Sequence, residues 1–149
     1  MQVRRPVSQL LNDKGSSVWA VSPDATVFAA LGLMADKNVG ALVVMEDERL
    51  VGIFSERDYA RKVILHGHAS KSLAVRDIMT AAVVTVSPDQ GLQDCMELMT
   101  KHRVRHLPVV DVDRRVIGVV SIGDVVKAVM SEQAFLIEQL QSYIQGSLG

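Results

Sequence analysis

Residues 18–45 of this 149-residue chain read VWAVSPDATVFAALGLMADKNVGALVVM, and residues 83–110 read VVTVSPDQGLQDCMELMTKHRVRHLPVV. Aligned at an offset of 65, the two stretches share ten of 28 residues, including a complete Val-Ser-Pro-Asp block. Residues 49–64 then align with residues 115–130 at an offset of 66, with five identities in 16 positions. Self-similarity of this kind predicts two copies of one structural unit.

Each copy has the pattern of a β-α-β-β-α unit. A short β-branched run, 18–21 or 83–86, ends at Ser-Pro-Asp, which is a helix-start signal. Apolar residues at three- and four-residue spacing then predict a helix, and two apolar runs joined by an acidic turn predict a hairpin. A second helix is expected to begin at Ser55 in one copy and at Ser121 in the other. We therefore expect a mixed α/β (α+β) fold with six short strands.

The two copies are expected to pack against each other, because a unit of about 47 residues is marginally stable alone. The sequence divides into an N-terminal segment with the first copy (1–66), a linker with the second copy (67–131) and a C-terminal helix (132–149). Leu136, Ile137, Leu140, Tyr143 and Ile144 recur at helical spacing in the last part. This helix is expected to dock either on its own chain or on a second subunit.

Composition excludes several classes of protein. With 48% hydrophobic residues, 22% charged residues and a net charge of −1, the chain is neither disordered nor charged so as to attract nucleic acid or a membrane surface. No stretch resembles a signal peptide or a membrane span, so a cytoplasmic protein is expected. The single cysteine, Cys95, matches Ala30 of the first copy and is expected in the core. No metal site is predicted from the four histidines, His66, His68, His102 and His106.

The motif with chemical content is Gly-h-h-Ser-x-x-Asp, where h is apolar, which occurs at 52–58 and at 118–124. One interpretation is helix capping, because a serine followed three residues later by an acid is a capping pattern. The other is ligand binding, in which the hydroxyl and the helix-start amides receive a phosphate and the carboxylate accepts hydrogen bonds from a ribose diol. Together these groups would suit a nucleotide.

The chain resembles a tandem pair of cystathionine-β-synthase (CBS) domains over roughly residues 10–131. The resemblance rests on the duplication, the SPD blocks, the two Ser-x-x-Asp motifs, VRDIMT at 75–80 and HRVRHLPVV at 102–110. It implies a pseudo-twofold Bateman module that regulates rather than catalyses and takes no catalytic cofactor. Such modules bind AMP, ADP or ATP, and in some cases NAD or S-adenosylmethionine, in two clefts between the repeats.

The resemblance also implies a signal-transduction protein that forms a homodimer and acts on a regulated partner outside this chain. One alternative is a structural dimerisation module with vestigial clefts. Another is a nucleic-acid binder that uses the basic cluster at 101–106, although few aromatic residues are present to stack on bases. No enzyme is expected, because the sequence holds neither a nucleophile with its base nor a Walker or Rossmann phosphate loop.

The family's ligand geometry can be placed on this sequence by matching positions. Cleft one would be formed by Ser55, Arg57, Asp58, Thr80, Val83, Arg105, His106, Leu107 and Pro108. Cleft two would be formed by Ser121, Asp124, Ser17, Val18, Trp19, Ala20, Gly40, Ala41, Leu42 and Val43. Trp19 has core packing as its alternative role.

The two clefts are not equivalent in charge. Arg57 of cleft one is matched by Gly123, and the pair Arg105-His106 is matched by Gly40-Ala41. Pro108 is matched by Val43, and the stretch 10–14 lacks the Asp-Ile-Met-Thr pattern. We therefore expect cleft one, which contains Asp58, to bind the more phosphorylated ligand or the ligand with the higher affinity.

Overall fold

Both copies of the duplicated unit fold around hairpins of β-branched residues. The computed structural model describes residues 5–65 and 71–148. The elements are α1 (Val7–Lys14), β1 (Ala20–Val21), α2 (Val27–Lys37), β2 (Ala41–Glu46), β3 (Arg49–Ser55), α3 (Glu56–Asp58), α4 (Val75–Ile78), α5 (Leu92–His102), β4 (His106–Val110), β5 (Val116–Ser121) and α6 (Ile122–Leu148). Helix α3 continues directly as a π-helical segment, Tyr59–Ile64.

The strands form one sheet in each copy. In the first copy β1 pairs parallel with β2, and β2 pairs antiparallel with β3. In the second copy β4 pairs antiparallel with β5. The strand expected at 83–86 is reduced to one parallel bridge between Val86 and Val109, so the described part of the chain has five strands instead of six. Val86 is the one fully buried residue of that run, and Val84 is only partly buried against the core of the second copy.

The helices after the two Ser-Pro-Asp blocks begin later than those blocks indicate. Helix α2 begins after Thr26, whose hydroxyl accepts a hydrogen bond from the Ala29 N–H at 3.1 Å. Helix α5 begins after Gly91, whose N–H donates to Asp94 Oδ2 at 3.2 Å. Ser-Pro-Asp therefore forms a turn that leads into each helix, and a later residue provides the cap.

The two hydrophobic cores exchange their lead-in helices. Helix α1, which precedes the first copy, contributes Val7, Leu10 and Leu11 to the core of the second copy. Helix α4, which precedes the second copy, contributes Val75 and Ile78 to the core of the first. The division expected at 66/67 therefore describes the duplication, whereas the packing units cross it.

The glycine repeated in both Ser-x-x-Asp motifs allows these lead-in helices to approach the sheets. A Cβ atom on Gly52 would lie 2.5 Å from Met79 Sδ and 3.1 Å from the Thr80 carbonyl oxygen. A Cβ atom on Gly118 would lie 2.6 Å from a δ carbon of Leu11. Only a residue without a side chain fits at these two positions without displacing its neighbours.

We expect Gly52→Ala to lower the free energy of unfolding by about 1–3 kcal/mol, because Met79 and the Thr80 backbone must move to admit the methyl group. Gly32→Ala is the matched control, since Gly32 lies inside α2 with open space around it. That change should raise stability by about 0.5–1 kcal/mol through helix propensity. Urea unfolding of both variants measures the difference, and equal effects would contradict the close-approach explanation.

Helix α6 runs from Ile122 to Leu148 as one element of 27 residues. The helix that opens the second Ser-x-x-Asp motif and the predicted C-terminal helix are therefore continuous across residue 132. Residues 124–145 contain neither glycine nor proline, so nothing in the sequence interrupts the helix. Among the described residues, no helix is both long enough and apolar enough to cross a membrane.

Candidate ligand-binding clefts

Both Ser-x-x-Asp motifs begin a helix and form the same reciprocal pair of hydrogen bonds. The Ser55 N–H donates to Asp58 Oδ2 at 3.0 Å, and the Asp58 N–H donates to Ser55 Oγ at 3.2 Å. In the second copy the Ser121 N–H donates to Asp124 Oδ2 at 2.8 Å, and the Asp124 N–H donates to Ser121 Oγ at 3.2 Å. The capping interpretation is confirmed for both motifs, and each capping carboxylate also lines a cleft.

Cleft one lies between the start of α3 in the first copy and the junction of α5 with β4 in the second. Its volume is about 360 Å³, which is within the range of small-molecule sites. Its lining residues are Gly40, Ile53, Ser55, Glu56, Arg57, Asp58, Arg61, Lys62, Thr80, His102, Arg103, Val104, Arg105 and His106. Both copies therefore contribute polar groups to one cavity.

The carboxylate of Asp58 is the most enclosed acidic group of cleft one, with its side chain 15% exposed. Oδ2 accepts hydrogen bonds from the Ser55 backbone and, at 3.1 Å, from its hydroxyl. Oδ1 accepts a hydrogen bond from Thr80 Oγ1 at 3.3 Å and lies 3.5 Å from Lys62 Nζ. A hydroxyl and an ammonium group therefore already contact Oδ1 of this cleft residue.

Cleft one is strongly cationic. Five lysine or arginine side chains line it, against the two carboxylates of Glu56 and Asp58. Arg57 Nη1 donates to the Arg103 carbonyl oxygen at 3.3 Å, so this arginine spans from one copy to the other. The cations are Arg57, Arg61, Lys62, Arg103 and Arg105.

Arg61, Lys62 and Arg103 were not among the residues predicted for cleft one. The first two lie in the π-helical segment after α3, and Lys62 Nζ donates to the Ile78 carbonyl oxygen at 3.0 Å. The wider π-helical turn changes which side chains face the cleft, and no sequence signal for such a turn was available. Arg103 ends α5 in a left-handed conformation with φ 54°.

Cleft two has a similar volume, about 380 Å³, but an almost balanced charge. Its lining residues are Lys14, Gly15, Ser17, Trp19, Asn38, Val39, Gly40, Ala41, His106, Val119, Ser121 and Asp124. Lys14 provides the one lysine or arginine in this lining, and Asp124 provides the one carboxylate. Sequence analysis did not single out Lys14.

Most of the predicted site residues lie around the two clefts, and seven do not. Ser55, Arg57, Asp58, Thr80, Arg105 and His106 line cleft one, and Ser17, Trp19, Gly40, Ala41, Ser121 and Asp124 line cleft two. Leu107 and Leu42 are instead buried in the two cores, and Pro108 and Val43, on the opposite faces of β4 and β2, are also buried outside the lining of either cleft. Val83 lines a separate open cavity, and Val18 and Ala20 lie outside the lining of cleft two.

Trp19 belongs to the wall of cleft two and not to a core. Its side chain is 37% exposed, and Lys37 Nζ lies 4.6 Å from the ring centroid. Core packing, the alternative considered for this residue, is therefore wrong. One ring face is stacked by a cation, which holds the indole in place beside the cleft.

A comparison against protein-family models agrees with this duplicated architecture. The CBS domain model matches residues 8–65 and 75–131. The chain belongs to the CBS-domain family. The two matches confirm the fold class and the tandem arrangement expected from the resemblance. CBS pairs are regulatory ligand-binding modules.

Relatives of similar size support this assignment to the CBS family. The chain is 45% identical to the mitochondrial CBS domain-containing protein CBSX3 of Arabidopsis thaliana, over 94% of this chain and 72% of that protein. The CBS domain protein NE2398, whose crystal structure is known, is 49% identical in sequence to this chain. The two structures superpose with a TM-score of 0.81 over 85% of this chain and 98% of NE2398. The CBS domain pair of MJ0100, solved with 5′-methylthioadenosine and S-adenosyl-L-methionine, shares the fold at 23% identity and a TM-score of 0.76, with 88% and 99% of the chains covered.

His106 forms the wall between the two clefts of this CBS pair. It lines both cavities, and its Nε2 would lie 3.4 Å from a Cβ placed on Gly40, which also lines both. Burial lowers the pKa of the imidazole and outweighs the opposing effect of Asp124 and Glu56, while Lys14 and Arg105 lower it further. The neutral imidazole is therefore the form that the fold favours.

We expect acid to destabilise the CBS pair partly through His106. Because its pKa is lower in the fold than in the unfolded chain, the unfolded state takes up more protons as the pH falls through about 6.5. The free energy of unfolding should therefore decrease between pH 7.5 and pH 5.5, with a shallower slope in His106→Gln. His102→Gln, at an exposed position of α5, is the control. Equal slopes in His106→Gln and wild type would contradict this role.

The cysteine and the histidines considered as reactive or metal-binding residues either have structural roles or lie outside the described residues. Cys95 is fully buried in the core of the second copy, as expected, and burial beside Asp94 raises the pKa of its thiol to about 11. Among residues 5–65 and 71–148, no group of three metal-ligating side chains is present. His66, His68 and most of the linker that begins at residue 67 lie outside the described residues.

Proposed function

We propose that this CBS pair is a regulatory sensor whose cleft one binds an adenosine phosphate, AMP, ADP or ATP. The observation that carries the proposal is the charge of cleft one, where five lysine and arginine side chains surround two carboxylates. A chain of phosphates is the small-molecule group that can use several such cations at once. NAD, which carries two phosphates on the same adenosine unit, is a longer ligand of the same class.

The ribose of this ligand is assigned to Asp58. Within the described part of the chain, its Oδ1 atom accepts a hydrogen bond from Thr80 Oγ1 at 3.3 Å and lies 3.5 Å from Lys62 Nζ. A ribose hydroxyl can donate to this oxygen if Lys62 turns towards the phosphates, which attract it more strongly. Ser55 and the first turn of α3 would then face the phosphate nearest the ribose.

Cleft two is assigned to an adenosine derivative of low charge. Its lining has one cationic and one anionic side chain besides His106, so a triphosphate would find no comparable set of partners. The exposed edge of Trp19 offers an aromatic surface for a base. The 5′-methylthioadenosine and S-adenosylmethionine bound by the MJ0100 pair are ligands of this kind, which supports testing both here.

Thermal unfolding in the presence of single ligands tests the assignment of ligands. ATP, ADP, AMP, NAD, S-adenosylmethionine and 5′-methylthioadenosine should be compared with tripolyphosphate, which has the charge but no adenosine. A ligand at about 100 times its dissociation constant adds about 2.7 kcal/mol of apparent stability. We expect ATP or ADP to stabilise more than tripolyphosphate does. No shift with any adenosine compound would favour a scaffold with vestigial clefts, and equal shifts with tripolyphosphate would indicate unspecific anion binding.

We also propose that the protein forms a homodimer through the far half of α6, residues 133–146. These residues are exposed along their whole length. An isolated helix of this length is marginal in water, so it needs a partner to stay helical. The exposed apolar side chains along it are Phe135, Leu136, Ile137, Leu140 and Tyr143.

A second copy of α6 fits this surface better than a charged partner does. Val126, Met130, Ile137 and Leu140 follow the alternating three- and four-residue spacing of a coiled-coil seam, interrupted at Gln133. After Lys127 the helix has two charged residues, Glu132 and Glu138, and both are acidic. This charge disfavours anionic lipid and nucleic acid, while an identical apolar seam is self-complementary.

A further inference from the structure

The acidic side chain of cleft two is already occupied by a cation of the same chain. Lys14 Nζ donates to Asp124 Oδ2 at 2.5 Å and to the Val119 carbonyl oxygen at 2.7 Å. The pair is partly buried, with the two side chains 34% and 23% exposed. Lys14 and Asp124 are 110 residues apart in sequence, so this ion pair joins the N-terminal helix to the second Ser-x-x-Asp motif.

In cleft one Thr80 makes the corresponding contacts. Thr80 exchanges two backbone hydrogen bonds with Ile53, at 2.9 and 3.0 Å, and its hydroxyl donates to Asp58. Ile53 and Val119 are matched positions of the repeat, as are Asp58 and Asp124. The ammonium of Lys14 therefore replaces both the backbone N–H and the hydroxyl of Thr80, and it adds a positive charge.

The difference arises from the lengths of the two lead-in helices. Val7 and Leu10 of α1 occupy buried positions like those of Val75 and Ile78 in α4, but α4 ends at Ile78. Helix α1 continues for four more residues, about one turn, and ends at Lys14. Gly15, with φ 94°, then turns the chain away. This additional turn is what delivers the lysine to cleft two.

We propose that Lys14 is an internal competitor that determines which ligand cleft two accepts, an inference that rests on the function proposed for the clefts. Because Lys14 and the Ser121 N–H both donate to Oδ2 of Asp124, a ribose diol that uses both carboxylate oxygens must displace the ammonium. Breaking a partly buried, hydrogen-bonded ion pair has a cost that a neutral ligand does not recover. A ligand with one anionic group can keep Lys14 as a partner and so loses less. Hydrogen bonds from Lys14 and Ser121 also outweigh burial and hold the pKa of Asp124 below its usual range, which accords with a tight pair.

Titration calorimetry with 5′-methylthioadenosine, a neutral adenosine with a free diol, tests the competition. The measurements use the full chain carrying Asp58→Asn, which weakens cleft one, with and without Lys14→Met. We expect Lys14→Met to bind the ligand about tenfold more tightly or better, as removal of a charge-assisted contact implies. Lys101→Met, on an exposed part of α5, is the control and should leave the affinity unchanged. Lys14→Gln is a second variant in case the methionine disturbs folding.

The possible outcomes separate the two proposals. If Lys14→Met and Lys14→Gln bind 5′-methylthioadenosine no more tightly than their parent, Lys14 does not compete with the ligand and the inference is wrong, while the proposed function stands. If the wild-type protein also binds no adenosine compound, the proposed function fails and the competition fails with it. A rise in the pKa of Asp124 in ligand-free Lys14→Met, measured by NMR, would show that the ion pair exists in either case.

Discussion

Asp58→Asn is expected to weaken ATP binding about 10- to 100-fold while leaving the protein folded. The substitution keeps the size of the side chain but removes the charge that accepts the ribose hydroxyls. Hydrogen bonds to a charged group are worth about 1.5–3 kcal/mol, which corresponds to this range in the dissociation constant. Capping contributes less here, because the amide oxygen of asparagine can still accept the hydrogen bond from the Ser55 N–H. Titration calorimetry of wild type and variant measures the effect.

Asp124→Asn is the matched control for this prediction, because Asp124 forms the same capping pair in the other copy. It should leave ATP binding at cleft one almost unchanged. If both variants bind ATP like wild type but unfold far more easily, the two aspartates serve as caps alone. If both lose ATP binding equally, the ligand does not discriminate between the clefts and the assignment from charge is wrong.

Leu140→Glu is expected to convert a dimer into a monomer. Each dimer would lose two leucine side chains from the seam, at about 1.5–3 kcal/mol each, and gain two buried acids. The dissociation constant should rise by at least about a hundredfold. Because the far half of α6 is marginal without a partner, its helix content should fall as well. Analytical ultracentrifugation gives the mass, and circular dichroism gives the helicity.

Ser142→Glu controls for the added negative charge, since it lies two residues from Leu140 on the opposite side of the helix from the seam. It should leave the dimer intact. A wild-type protein that is monomeric at all concentrations, with residues 133–146 still helical, would contradict the dimer proposed through α6. Dimers that persist in Leu140→Glu would place the interface elsewhere on the molecule.

The repeated parts of this structure were the most predictable from sequence. The β-α-β-β-α order, the hairpins and the two Ser-x-x-Asp helix starts follow from residue patterns that occur twice, so each copy supports the interpretation of the other. The short run 83–86 misled because its β-branched residues favour a strand, whereas only Val86 has a partner. Trp19 was predicted for cleft two with core packing as its alternative, and its 37% exposure excludes the alternative.

Arg57 and Arg105 of cleft one were predicted from the sequence, but the other charged residues that make the clefts unequal were not predictable. Lys14 reaches cleft two because α1 is one turn longer than α4, and helix length at this position has no counterpart in the repeat. Arg61 and Lys62 reach cleft one through a π-helical turn that depends on packing. The exchange of α1 and α4 between the cores is a tertiary choice, since both helices have similar apolar patterns. Sequence patterns specify the elements, but contacts between copies decide which side chains meet in a cleft.

A crystal structure of the protein grown with ATP would locate the nucleotide directly. We expect one nucleotide in cleft one, with a ribose hydroxyl on Asp58 and the phosphates among Arg57, Arg61 and Arg103. We also expect that cleft two contains no triphosphate and that Lys14 remains on Asp124. A nucleotide bound outside cleft one, or a cleft one left empty at saturating ATP, would show that cleft one is not the nucleotide site.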